Sequence, residues 1–131
     1  MKIAAPLCLG LLLAAPALAD ELHPMDIKTV DPAMLDSFFG PWQIQNPDAS
    51  KTCDVDLSRD DTIGGMAIGI GDGCAEAFPV MAEVAAWRLY DNWTIVFTDA
   101  AHKELIRFIS PDEAYVAEPA VDGIATIVQP D

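Results

Sequence analysis

From Trp42 to Thr126 apolar and polar positions alternate with a period of two, the mark of strands that bury one face. Trp42 and Ile44 alternate with Gln43 and Gln45, and Cys53, Val55 and Leu57 with Asp54 and Asp56. Met66, Ile68 and Ile70 alternate with Ala67 and Gly69, and Trp87 and Leu89 with Arg88 and Tyr90. Trp93, Ile95 and Phe97 follow across Asp91-Asn92, which reads as a tight hairpin connection. Ile106 and Phe108, Tyr115 and Ala117, and Ile124 and Thr126 complete a set of eight short strands. Turn signals separate them at Asp60-Asp61, Gly71-Asp72-Gly73, Asp99-Ala100, Pro111-Asp112 and Asp122-Gly123. This spacing predicts either an antiparallel sandwich or a closed up-and-down barrel, and periodicity alone does not separate the two.

The period changes ahead of Trp42. Asp31-Pro32 opens a short helix, with Asp31 capping free N–H groups and proline suited to the first helical position. Ala33, Met34, Leu35 and Phe38 supply its apolar face, and Gly40-Pro41 stops it. Residues 20–30 show no sustained periodicity and read as an extended arm. The stretch Glu76–Val84, interrupted by Pro79, reads as a loop or an irregular helical turn. Residues 1–19 combine a cationic start, an apolar middle around Leu11-Leu12-Leu13 and the small-x-small ending Ala17-Leu18-Ala19. These are the parts of a cleavable secretory signal. The apolar part, broken by Pro6 and Pro16, falls short of the roughly 20 residues of a membrane-spanning helix. A lipid anchor on Cys8 is the alternative, disfavoured by the bulky Leu7 before it. The expected organisation is thus a signal peptide over 1–19, an arm over 20–30 and one β-domain over 31–131, exported to the periplasm or beyond the cell.

Export changes the meaning of the cysteines. Cleavage after Ala19 removes Cys8 and leaves Cys53 and Cys74, which in an oxidising compartment are most simply a structural disulfide. A redox-active pair would want a Cys-x-x-Cys spacing that is absent. The chain carries 21 acidic against seven basic residues, a formal net charge of −14. Such a surface repels nucleic acid and anionic lipid, so neither is an expected partner.

No catalytic constellation emerges. The two histidines, His23 and His102, lie far apart, and zinc chemistry wants three or four ligands at recognisable spacing, so no metal or other cofactor is expected. Asp54 and Asp56 share one strand face, but their alternation with Cys53, Val55 and Leu57 makes them a solvated outer face. Ser37, Ser50, Ser58 and Ser110 lack a nucleophile-elbow context. The expectation is a protein that is not an enzyme.

The ordered features resemble the Inh-type inhibitors of serralysin metalloproteases, also called alkaline proteinase inhibitors. The matching parts are the short helix running into Phe39-Gly40-Pro41-Trp42, then Cys53-Asp54-Val55-Asp56-Leu57, and Cys74 after a Gly-Asp-Gly turn. Trp87 ahead of the Trp93-to-Phe97 strand, and Tyr115 before Asp122-Gly123, complete the match over about residues 32–128. The resemblance implies a small eight-stranded antiparallel up-and-down β-barrel with a short N-terminal helix, stapled by a Cys53–Cys74 bridge. It also implies a monomeric proteinaceous inhibitor of a secreted zinc metalloprotease of serralysin type. Its N-terminal arm, here Asp20, Glu21, Leu22, His23 and Pro24, would occlude the active-site cleft. Two departures from the family stand out: the stretch from Asp20 to the helix is longer than the usual arm, and its first two residues are acidic. A carboxylate of Asp20 or Glu21 suits direct contact with the protease's zinc. The competing reading is a small-ligand-binding barrel of the cell envelope, with Trp42, Trp87, Trp93 and Phe97 lining a cavity.

Overall fold

The computed structural model describes residues 22–130. The expected signal sequence, Cys8, and the arm residues Asp20 and Glu21 lie outside the described residues. Within them the chain forms eight strands: β1 (Gly40–Gln45), β2 (Thr52–Thr62), β3 (Gly65–Ile70), β4 (Ala86–Tyr90), β5 (Thr94–Thr98), β6 (Glu104–Ile109), β7 (Tyr115–Val121) and β8 (Ile124–Val128). Each pairs antiparallel with the next, and β8 returns to β1 through Gln43↔Val128, Ile44↔Ile127 and Gln45↔Thr126. The result is a closed barrel in simple up-and-down order, which decides between the sandwich and the barrel. Closure removes most of the free edges that an open sheet would leave to be protected.

The barrel is filled with side chains. β2 shows the alternation expected of it, with Cys53, Val55 and Leu57 buried and Asp54 and Asp56 exposed. Trp42, Ile44, Trp87, Leu89, Ile95, Phe97, Ile106, Phe108, Ile124 and Ile127 are buried with them in one cluster. Phe97 and Phe108 meet edge to face at 5.4 Å. Both buried indole N–H groups are satisfied, Trp42 Nε1 donating to Phe38 O and Trp87 Nε1 to Ser58 O, each at 2.9 Å. Aromatic bodies buried with their one polar atom partnered are core, not cavity lining.

The short helix α1 (Pro32–Asp36) begins as expected, with the Asp31 carboxylate accepting from Ala33 N at 2.9 Å and proline in its first turn. It is shorter than its apolar pattern suggests. Phe38 falls after it, Met34 is half exposed, and Gly40-Pro41 begins β1 rather than merely ending the helix. Phe38 is nevertheless buried, stacked on Trp93 at 5.2 Å and packed near Trp42. A second short helix, α2 (Cys74–Ala77), and a 3₁₀ turn (Pro79–Ala82) occupy the stretch read as irregular. The Cys53–Cys74 disulfide ties β2 to the start of α2, with the Cα atoms 4.9 Å apart.

Two local readings are corrected. Asp60-Asp61 is not a turn: β2 runs on to Thr62 through a register shift between Leu57 and Asp61. The reversal falls at Ile63-Gly64, where Gly64 and Gly65 take φ of +93° and +153°. Left-handed φ here favours glycine, and the tip also packs tightly. A Cβ on Gly65 would lie 2.5 Å from Arg88 Cγ and 2.6 Å from Trp87 O. Trp93, read as the first inward residue of β5, instead ends a 3₁₀ turn (Asp91–Trp93) at φ 59°, after Asn92 at φ 62°. At left-handed φ Trp93 belongs to the three-residue loop between the paired Tyr90 and Thr94, so β5 starts one residue later. The Trp93 ring reaches Phe38, at one side of the core.

Tyr115 locks that turn by donating from its hydroxyl to Trp93 O at 2.6 Å. Burial holds its phenol in the neutral form and pushes its pKa up from 10.0 to about 12. A raised folded pKa means that this contribution to stability is complete below pH 10 and is lost as pH rises through about 12. Comparing urea midpoints of the protein and its Tyr115→Phe variant checks this: the variant should be the less stable near neutrality, and the gap should shrink as pH rises across that window. Replacing Cys53 and Cys74 together by alanine should cost about 3 kcal/mol on the chain-entropy model, read from the same midpoints. Gly65→Ala should lower stability by about 1–3 kcal/mol, measured by thermal unfolding.

Candidate functional site

The segment ahead of α1, residues 22–30, precedes the helix and the barrel, and the structure shows how it is held. Asp26 caps a 3₁₀ turn (Ile27–Thr29), its carboxylate accepting from Lys28 N at 3.1 Å. Thr29 Oγ1 donates back to Asp26 O at 2.8 Å. Met25 and Ile27 pack against the barrel cluster. Residues 26–30, read as extended, therefore form a compact turn that rests its apolar side chains on the core.

Ahead of that turn the chain lies beside β4. Pro24 forms an antiparallel bridge with Tyr90. Met25 N donates to Leu89 O and Asp91 N donates to His23 O, both at 2.9 Å. The Asp91 carboxylate accepts from His23 N at 3.2 Å and lies 3.3 Å from His23 Nδ1. Both side chains of this last contact are well exposed, 72% and 48%, so as an ion pair it is weak. Its geometric role is stronger, because one aspartate holds both the N–H and, through its own backbone, the C=O of His23.

Of the five residues read as the inhibitory arm, then, His23 and Pro24 are rooted on β4 and Leu22 is half-buried beside them. Asp91 is the residue that sequence reasoning missed, having been read only as hairpin chemistry. Its partner lies 68 positions away, and no local signal could have joined them.

Two grooves flank the root. One, of about 420 Å³, runs between Pro24–Lys28 and the β2–β3 tip, with Arg88, Leu89 and His102 along its walls. The other, of about 510 Å³, lies between the 3₁₀ turn and α1 and includes Leu35, Phe39 and Arg59. Arg59 lines its wall, pairing with Asp36 and lying 4.7 Å over the Phe39 ring. Both are open surface features outside the packed interior. Among the described residues no group of three or more His, Cys, Asp or Glu side chains is placed to hold a metal ion, and no helix is long and apolar enough to cross a membrane. The arrangement offers a closed barrel with the segment His23–Met25 held along β4.

A family model described as "Protease inhibitor Inh" matches residues 33–128, from α1 to the end of β8. No curated protein matches the chain. The matched region is the barrel and its helix, and the rooted segment precedes it.

Proposed function

The chain belongs to the Inh protease inhibitor family, and we propose that it acts as an exported, non-catalytic inhibitor of a zinc metalloprotease of serralysin type. In this reading the signal sequence over residues 1–19 is cut after Ala19 in the periplasm or on the way out of the cell. Asp20 becomes the new N-terminus, and the monomeric barrel presents the arm to the protease cleft. The acidic pair Asp20-Glu21 brings a carboxylate to the protease's zinc, which accepts oxygen ligands of this kind. Leu22 supplies the apolar side chain for a neighbouring subsite. His23 and Pro24 connect this tip to the barrel.

The observation that carries the proposal is the rooting of His23–Met25 on a closed barrel. A peptide that enters an active site as a substrate does, yet is tethered at its base, gives up less conformational freedom on binding than a free chain. Proline at 24 lacks the N–H that an extended substrate donates to a protease's edge strand, which suits a segment that is held without being cut. Against the reading as a ligand-binding barrel stand Trp42, Trp87 and Phe97, each buried in a filled interior, and Trp93, which lies in the turn after β4.

The test is titration of the mature chain against a serralysin-type protease, following hydrolysis of a protein substrate. The mature chain should inhibit stoichiometrically, and a chain starting at His23 should lose inhibition while keeping its melting temperature. Equal potency of the shortened chain would remove the arm from the mechanism.

A further inference from the structure

The barrel wall is incomplete between β3 and β4. Those two strands are paired at Met66↔Trp87 alone, whereas β4 and β5 are in register over Ala86–Tyr90. Beyond Trp87 the chain of β3 has already turned back at Gly64-Gly65. The edge of β4 at Leu89–Asp91 would therefore face no strand of the barrel.

The segment His23–Met25 occupies that edge. The bonds of the bridge run from Met25 N to Leu89 O and from Asp91 N to His23 O, so Pro24 and Tyr90 face each other as a non-hydrogen-bonded pair. That is where a residue without an N–H does no harm. Asp91 then holds His23 a second time through its carboxylate. The turn that carries Asp91 is itself fixed, by Tyr115 on Trp93 O and by Phe38 stacked on the Trp93 ring.

Resting on the reading of this protein as an arm-bearing protease inhibitor, we infer that Asp91 is the positioning residue of the arm and that the open edge of β4 is its mount. His23–Met25 stay on the barrel while the protease is bound, and only Asp20–Leu22 enter the cleft. Three residues span at most about 11 Å. The turn Asp91–Trp93 therefore sits at the mouth of the cleft, and the barrel meets the protease there.

A cross-link tests whether the mount holds during inhibition. A non-hydrogen-bonded pair has its Cα atoms about 4.5 Å apart, within the roughly 4.4–6.8 Å that a disulfide spans. The mature chain carrying Pro24→Cys and Tyr90→Cys, its new bridge verified by peptide mapping, is compared with the Pro24→Ser, Tyr90→Ser chain. Equal inhibition within about threefold is expected; a loss of about a hundredfold or more on cross-linking would show that the segment must leave the barrel, and would overturn the inference. Asp91→Ala should weaken inhibition by about 10–100-fold, the loss of a charge-assisted hydrogen bond. Asp91→Asn, which can still accept from His23 N, should recover most of it at the same melting temperature. Full inhibition by Asp91→Ala would count against its role. In the protein alone, hydrogen exchange gives a measure independent of any protease. The amides of Met25 and Asp91 should exchange as slowly as those within β4, and exchange at open-chain rates would overturn the mount. If the unmodified protein inhibited no metalloprotease, the functional reading would fall, and this exchange measurement would still decide whether the mount exists.

Discussion

A sheet of eight strands closes into a barrel only if the strands tilt and stagger relative to one another. In this protein the stagger brings β3 and β4 together at a single pair, Met66 and Trp87, and much of the remaining structure answers to that seam. The Trp87 indole fills the inside of it, fully buried, with its N–H on Ser58 O of β2 and Phe39 edge-on at 5.9 Å. On the outside the Gly64-Gly65 tip lies against Arg88 and the end of β5, close enough that Thr98 Oγ1 reaches Gly64 O at 3.4 Å. Every residue of β5 is buried. The part of β4 that neither device covers is covered by His23–Met25. The site proposed for function is thus continuous with the weakest pairing of the barrel.

Part of the acidity of the chain has a structural explanation. Aspartates repeatedly accept backbone N–H groups where the chain reverses: Asp26 from Lys28, Asp31 from Ala33, Asp99 from both Ala101 and Lys103, and Asp122 from Val80 across the molecule. At Asp48 the hydrogen bond from the Ser50 side chain, with help from its backbone N–H, holds the carboxyl below the usual range. Short strands need many turns, and aspartate is suited to them because its side chain satisfies the N–H groups that a turn leaves unpaired. A net charge of −14 also favours solubility. Asp91 belongs to this class and, like Asp122, holds a distant segment rather than its own turn.

In the proposed mechanism the barrel would supply a pre-ordered support and the arm the recognition. The disulfide, the filled interior and the Tyr115–Trp93 contact hold the barrel and the turn after β4 in one arrangement, so little freedom remains to be lost there on binding. In the proposed mechanism Asp20, Glu21 and Leu22 would determine which cleft can receive the arm. Affinity for a particular protease would then rest on very few side chains, while the fold is kept by the many that pack the barrel.

Much of the architecture was legible in the residues because a strand with one face in the core must alternate, and β2 shows it most plainly: Cys53, Val55 and Leu57 inward, Asp54 and Asp56 outward. The helix cap at Asp31 was legible for a similar reason, its partner being two residues away. The periodic pattern could not say whether the eight strands form a sandwich or a closed barrel, since inward and outward positions alternate identically in both. The pairing of β1 with β8 decides it. Turn positions were read well where one residue type dominates and poorly where packing intervenes. Asp60-Asp61 continues a strand through a bulge, and Trp93 is drawn into a turn by the Phe38 ring and the Tyr115 hydroxyl. The root of the arm was invisible for the plainest physical reason. His23 and Asp91 carry no local pattern that pairs them, and only the gap between β3 and β4, a product of how the whole sheet closes, creates the edge on which they meet.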